Sequence, residues 1–198
     1  SIKTKSINIR DIGLRIYFGL ESTNEDIVYA YLREALSQRG YSLRVKRSGC
    51  VEVDGAVRST KKGRHGSGSC DAYVFSENGV EGFHALIELE SNGKLDVGIT
   101  QIQGYVESFT AKTLDATLVT AMNRIEQRDV VLAVFDGDSL WLATYSLDEK
   151  KYKIIVNNES VQSNRQGLTK KLFSLFPDKN APAQKVDEKA LVKKVAGL

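Results

Sequence analysis

The chain predicts an α/β domain in three layers, a central mixed β-sheet flanked by helices. Helical stretches open and close its main body, at "STNEDIVYAYLREALSQRGY" and "NRQGLTKKLFSLF". Between them run strand-length apolar segments bounded by Gly, Asn and Asp turns, such as "CDAYVFS", "FHALIELE" and "DVVLAVF". Helices interleaved with strands in this way belong to the α/β class.

Taken in order, Ser22, Thr23 and Asn24 offer capping oxygens to the first helix. Glu25 and Asp26 suit the positive end of its dipole, and Gly40 stops it. Ile27, Tyr31, Leu32, Ala35 and Leu36 recur along it at helical spacing. "YSLRVKRS" and "CVEVDGAVRS" alternate as two strands joined by a short turn, and the Gly- and Ser-rich "TKKGRHGSGS" is a loop. "CDAYVFS" and "FHALIELE" form strands linked by the turn "ENGVEG", and a helix follows over residues 97–112. "DATLVTAMN" reads as a strand, "DVVLAVFDGDSLWLATYS" as a hairpin turning at "DGDS", and "YKIIV" as one more short strand. The closing helix places Leu168, Leu172, Leu175 and Phe176 on one side. Pro177 and Pro182 then bracket "DKNA", and "QKVDEKALVKKVAGL" reads as a linker. One domain is expected over residues 1–176, with a linker or C-terminal tail over 177–198.

The 198 residues suffice for a domain with a substantial core, and 41% hydrophobic with 27% charged residues is ordinary for a globular protein. No apolar run approaches the ~20 residues that span a bilayer. "SIKTKSINIRD" lacks the apolar core of a secretory leader, so a cytoplasmic protein without membrane contact is expected. Cys50 and Cys70 stand apart from any Cys-x-x-Cys or Cys/His cluster, which argues for free thiols and against structural zinc. The formal charge of +3 is mild, but Arg44, Lys46, Arg47, Arg58, Lys61, Lys62 and Arg64 gather in one segment against only Glu52 and Asp54. Such a segment attracts phosphate backbones or is simply a solvated hairpin, and charge alone does not separate the two.

The stretch "HALIELE" raises the chemical question. Along a strand, Glu88 and Glu90 share one face while Ala85, Ile87 and Leu89 share the other. Burying an unpaired carboxylate costs several kcal/mol, and a like charge beside it adds to that. Asp71 opens the preceding strand and can lie beside the same pocket. Three carboxylates with the backbone carbonyl of Leu89 form a hard-oxygen site suited to Mg²⁺ or Mn²⁺. The competing reading is an edge strand whose last residues emerge into water; Asp71 and the helix that follows tip the balance toward a site.

The arrangement resembles the PD-(D/E)xK nuclease superfamily, the restriction-endonuclease-like nucleases. The nearest likeness is to RecB-like members and to the N-terminal nuclease domains of type I restriction subunits. Glu25 in the first helix, Asp71, Glu88 with Glu90, and Gln101 with Tyr105 carry it, over roughly residues 20–145. Cys70 stands where a Pro is usual, and Glu90 where the superfamily's lysine is usual, although some members carry Glu-x-Glu and remain active. Lys94, just after the strand, is the first substitute for that cation and Lys112 the second.

The resemblance implies a restriction-endonuclease-like fold and a Mg²⁺- or Mn²⁺-dependent endodeoxyribonuclease, a hydrolase acting on phosphodiester bonds of DNA. Asp71 and Glu88 would hold metal, Glu90 would hold it or act as general base, and Glu25 would act through a water. Gln101 and Tyr105, one helical turn apart, would support the site and contact DNA. Arg58, Lys61, Lys62 and Arg64, with Lys94, would grip the phosphate backbone. A homodimer, or fusion to the motor or methyltransferase modules of a larger restriction enzyme, is the assembly implied. The alternative is the same fold kept as an inactive module that binds DNA or a protein partner.

Other chemistry-bearing residues receive plainer readings. His84 shares alternation with Glu88 and reads as a partly buried structural histidine; His65 reads as a phosphate or solvent contact. Ser67 and Ser69 lack an activating partner, and the glycines beside them do not form a P-loop. Trp141 is expected in the core, and Asp136 and Asp138 in the hairpin turn for backbone reasons.

Overall fold

In the computed structural model, residues 25–57, 69–111 and 116–180 are described. The elements are α1 (Glu25–Gln38), β1 (Ser42–Val45), α2 (Val51–Ala56), β2 (Ala72–Phe75), a 3₁₀ turn (Val80–Gly82) and β3 (Phe83–Leu89). There follow α3 (Leu95–Ala111), α4 (Ala116–Asn123), β4 (Asp129–Phe135), β5 (Ser139–Ser146), β6 (Lys151–Ser160) and α5 (Arg165–Ser174).

The six strands form one sheet in the order β1-β2-β3-β4-β5-β6. Every neighbouring pair is antiparallel except β3 and β4, which run parallel. That pair needs a crossover, supplied by α3 and α4. Being central, β3 is buried along its whole length, which explains its unbroken apolar run. Helices cover both faces. On one, Val28, Tyr29, Leu32 and Leu36 of α1 and Leu168, Leu172 and Phe173 of α5 pack on Ala72, Ala85, Ile87 and Val131. On the other, Val53 of α2, Ile102, Tyr105, Val106 and Phe109 of α3 and Ala121 of α4 pack on Tyr73, Leu86, Leu132 and Trp141. The α/β class, the mixed sheet and the flanking layers are as the sequence predicts.

Two segments differ from expectation. Val51–Ala56 is a helix, not a strand: Val53, Ala56 and Val57 turn inward at helical spacing while Val51 is 84% exposed. Glu52 and Asp54 in its first turn favour the helix dipole and outweigh the β preference of the valines. Ala116–Asn123 is also helical, with Leu118, Ala121 and Met122 meeting the core at i, i+3 and i+4. The last strand also runs to Ser160, well beyond "YKIIV". On α1, Val28 and Tyr29 are buried with Leu32, Ala35 and Leu36, whereas the side chains of Ile27 and Tyr31 lie outside the described residues.

The closing helix starts where Asn164 Oδ1 accepts a hydrogen bond from the Gly167 N–H at 3.1 Å. Asn164→Ala is expected to cost about 1 kcal/mol, read as a lowered urea midpoint with unchanged slope. Beyond it, the segment to Asn180 is fastened to the end of α1: Tyr41 donates to the Pro177 carbonyl at 2.8 Å and the Lys179 N–H to the Arg39 carbonyl at 2.9 Å. Among the described residues no helix is long and apolar enough to cross a membrane.

Candidate functional site

Asp71 stands immediately before β2 and Glu88 near the end of β3. The pairing of Ala72 with Ile87 sets them opposite one another, on the face that Tyr73 and Leu86 share with α3. Their contacts interlock. The Asp71 N–H donates to Glu88 Oε1 at 3.0 Å, and the Leu89 N–H donates to Asp71 Oδ2 at 3.0 Å. Each carboxylate thereby anchors the other's strand.

Glu88 is only 3% exposed, so the reading in which it emerges into water fails; Asp71 is half-buried. Burial, reinforced by the charge of Asp71, pushes the Glu88 carboxyl up to about 9, although the Asp71 N–H pulls the other way. Without a cation in contact, Glu88 therefore holds a proton at neutral pH. Cys70, fully buried, turns its thiol toward the Ile87 carbonyl at 3.4 Å and toward Glu88. Burial and the neighbouring Glu88 raise that thiol well above its ordinary value, so it stays protonated and unreactive.

Glu90 lies on the same face, half-buried, and its N–H donates to the Phe135 carbonyl at 2.8 Å. Helix α3 comes unusually close there. A Cβ on Gly98 would fall 2.6 Å from Val134 Cγ1 and 2.7 Å from Glu90 Cγ. One turn further along α3, Gln101 is half-buried and Tyr105 is buried, its hydroxyl donating to the Ser69 carbonyl at 3.3 Å. Burial, then the charge of Glu88, raises the Tyr105 phenol, so it remains a donor. Lys94 is exposed at the start of α3, where its carbonyl accepts from the Gly98 N–H at 3.3 Å.

Asp136 is buried in the β4–β5 turn, as expected of a turn residue, and does more than close it. Oδ1 accepts from the Asp138 and Ser139 N–H groups at 3.0 and 2.8 Å, and Oδ2 from the Gly93 N–H at 3.2 Å. It therefore ties the hairpin to the turn that carries Lys94. Asp138 itself is exposed, and Trp141 is core at 2% exposure.

His84 does not share the face of Glu88. The register slips between Val74 and Phe75, so that Phe75 pairs with Phe83 and Val74 with Ala85. This bulge sends His84 to the α1/α5 side. There Nε2 meets the Leu175 carbonyl at 2.8 Å and the ring lies between Tyr41 and Phe176. Its buried structural character stands, and the shared alternation does not. Burial, ahead of the bond to Leu175, lowers its pKa and keeps the ring neutral.

The structure thus joins Asp71, Glu88 and Leu89, and sets Glu90, Gln101 and Tyr105 around them. Among the described residues, no group of three or more His, Cys, Asp or Glu side chains is arranged to hold a metal ion. Asp71 and Glu88, joined through the N–H groups of their strands, are carboxylates of the hard-oxygen kind that Mg²⁺ or Mn²⁺ takes. The side chain of Glu25, and Arg58, Lys61, Lys62, Arg64, His65, Ser67 and Lys112, lie outside the described residues. Sequence reasoning missed Cys70 as a neighbour of Glu88. It also missed the link from Lys46, whose N–H donates to the Asp71 carbonyl at 2.8 Å and brings the basic Arg44–Gly49 turn beside the acids. Compared with known proteins, the sequence matches no family model and no curated protein.

Proposed function

We propose that the chain is a divalent-metal-dependent DNA endonuclease of the restriction-endonuclease-like class, hydrolysing phosphodiester bonds. One observation carries this: a nearly inaccessible Glu88 that accepts the Asp71 N–H, while the Leu89 N–H donates to the Asp71 carboxylate, in a position that keeps an acidic proton at neutral pH. Such a pair is costly to bury for structure alone and becomes favourable when a cation replaces the proton. The six-stranded mixed sheet between helices is compatible with that class.

Asp71 and Glu88 are the residues that would hold Mg²⁺ or Mn²⁺, with Glu90 and the Leu89 carbonyl next in reach. Held there, such an ion would supply Lewis-acid stabilisation of the scissile phosphate and its leaving oxygen. Glu90 orients the attacking water and accepts its proton. Tyr105 keeps its hydroxyl proton and braces the Ser69 segment that leads into Asp71. Gln101 faces the same way and contacts the strand being cut.

A second reading, a non-catalytic DNA-binding or docking module, is favoured by Glu90 standing where the class carries lysine while Lys94 points to the surface. Two measurements separate them. Calorimetric titration with Mn²⁺ is expected to show binding that disappears in Asp71→Ala. Supercoiled plasmid with Mg²⁺ or Mn²⁺ is expected to be nicked by the wild type and not by that variant. Metal binding without nicking leaves the module, and loss of both in the wild type removes the nuclease.

A further inference from the structure

Arg44, in β1, lies opposite Tyr73 and so projects on the same sheet face as Asp71 and Glu88. Its guanidinium sits 4.3 Å over the Phe75 ring and donates to the Ser48 carbonyl and, at 3.1 Å, to Asn78 Oδ1. These contacts fix a side chain that otherwise has ~2 kcal/mol of rotamer entropy to lose on binding. The turn beyond it is firmly built. Buried Ser48 donates its N–H to Asp54 Oδ1 at 2.8 Å and its hydroxyl to the Cys50 carbonyl at 3.0 Å. Left-handed Lys46 (φ 65°) and Gly49 (φ 71°) fold the chain back.

Arg44, Val45, Arg47, Ser48, Gly49, Asn78 and Gly79 line an open surface cavity of about 520 Å³. Its lining carries two guanidiniums and no carboxylate. Of the nearby acids, Glu81 beside Gly79 is paired with Arg124, Asp54 is engaged by Ser48, and exposed Glu77 adjoins Asn78 outside the lining. Two forked donors with an amide between them select an anion bearing several acceptor oxygens, as a phosphate does.

We propose that this cavity docks a backbone phosphate of the nucleic-acid strand, a few nucleotides from the bond cut at Asp71 and Glu88. The inference rests on the nuclease reading and names its substrate contact. Lys46 connects the two, since its N–H holds the Asp71 carbonyl. Arg44 and Asp71 stand one strand and two residues apart, about 8 Å between Cα atoms, and the Arg44 guanidinium lies further along β2, over Phe75. Phosphates of one strand repeat every ~3.4 Å along the duplex axis, so a single strand spans both places.

The test is anisotropy of a labelled duplex in EDTA, which separates binding from cleavage. Arg47 is exposed, and Arg47→Glu is expected to melt as the wild type does and to bind Mn²⁺ equally. Its duplex affinity is expected to fall roughly tenfold at about 0.1 M salt, and the slope of log K against log[salt] by about 1. Arg44→Lys, keeping charge but losing the fork, is expected to show a smaller loss. Low-millimolar inorganic phosphate is expected to leave the duplex bound. Unchanged affinity and slope in Arg47→Glu, with wild-type duplex and Mn²⁺ binding intact, would overturn the docking site alone. Binding of inorganic phosphate to the wild type but not to Arg47→Glu, with duplex affinity the same in both, would assign the cavity to a free anion and also overturn it. Failure of the wild type to bind duplex would overturn it together with the nuclease.

Discussion

At pH 9, Glu88→Gln is expected to be more stable than the wild type, whereas at pH 5 the two differ little. In the unfolded chain Glu88 titrates near its ordinary 4.5, and in the folded protein near 9. Between those values the native state holds a proton that the unfolded state has released. Stability due to this group is therefore complete below pH ~4.5 and declines as pH rises, by ~1.4 kcal/mol per unit, until it is gone above ~9. The whole excursion is on the order of 6 kcal/mol, a large part of the 5–15 kcal/mol that holds a typical domain together. Glutamine keeps the shape and cannot ionise, so the slope disappears. Urea unfolding at pH 5, 7 and 9 measures it, and a wild-type stability independent of pH would show that Glu88 is not confined as described. Mn²⁺ is expected to restore wild-type stability at pH 9 and to leave Glu88→Gln unmoved. Glu88→Ala is expected to lose plasmid nicking altogether.

Gly98→Ala is expected to destabilise the fold by about 1–3 kcal/mol, even though alanine in a helix interior normally gains about 1 kcal/mol over glycine. The new methyl would meet Val134 Cγ1 at 2.6 Å and Glu90 Cγ at 2.7 Å. Val134 is fully buried in a central strand and has nowhere to go; Glu90 can swing aside. Overpacking therefore outweighs propensity, and the carboxylate that moves is one the proposed chemistry uses. Gly55→Ala is the control, because nothing lies within 4 Å of the added carbon. Thermal melts are expected to show a lowered Tm for Gly98→Ala and none for Gly55→Ala. A stabilised Gly98→Ala would mean that α3 sits further from β4 than described.

Much of this was legible where a segment's burial leaves one solution. "AYVF" and "FHALIEL" are buried along their length, and only central strands in a covered sheet keep such runs in four and seven residues. Asp71 and Glu88 were legible as partners because a short Gly- and Asn-containing connection brings their strands together. Where valine and threonine alternate with polar residues, as in "VEVDGA" and "ATLVTAMN", β propensity points one way and packing decides the other. The acids at 52 and 54, and the spacing of Leu118, Ala121 and Met122, were the available helical signals. The bulge at His84 left none, since no glycine marks it and one inserted residue is enough to reverse a face. The bonds of Asp136 to Gly93 and of Cys70 to Ile87 depend on chain brought from elsewhere in the sequence.

The parallel pairing of β3 with β4 has a kinetic corollary. β2 and β3 are joined by a short connection, whereas β4 reaches β3 only through the α3–α4 crossover, so the β2–β3 hairpin is expected to close first. Until β4 arrives, Glu88 sits in water and stays ionised at neutral pH. Docking of β4 and α3 strips that water away, so the final stage of folding at neutral pH captures a proton from solution, and unfolding gives it back.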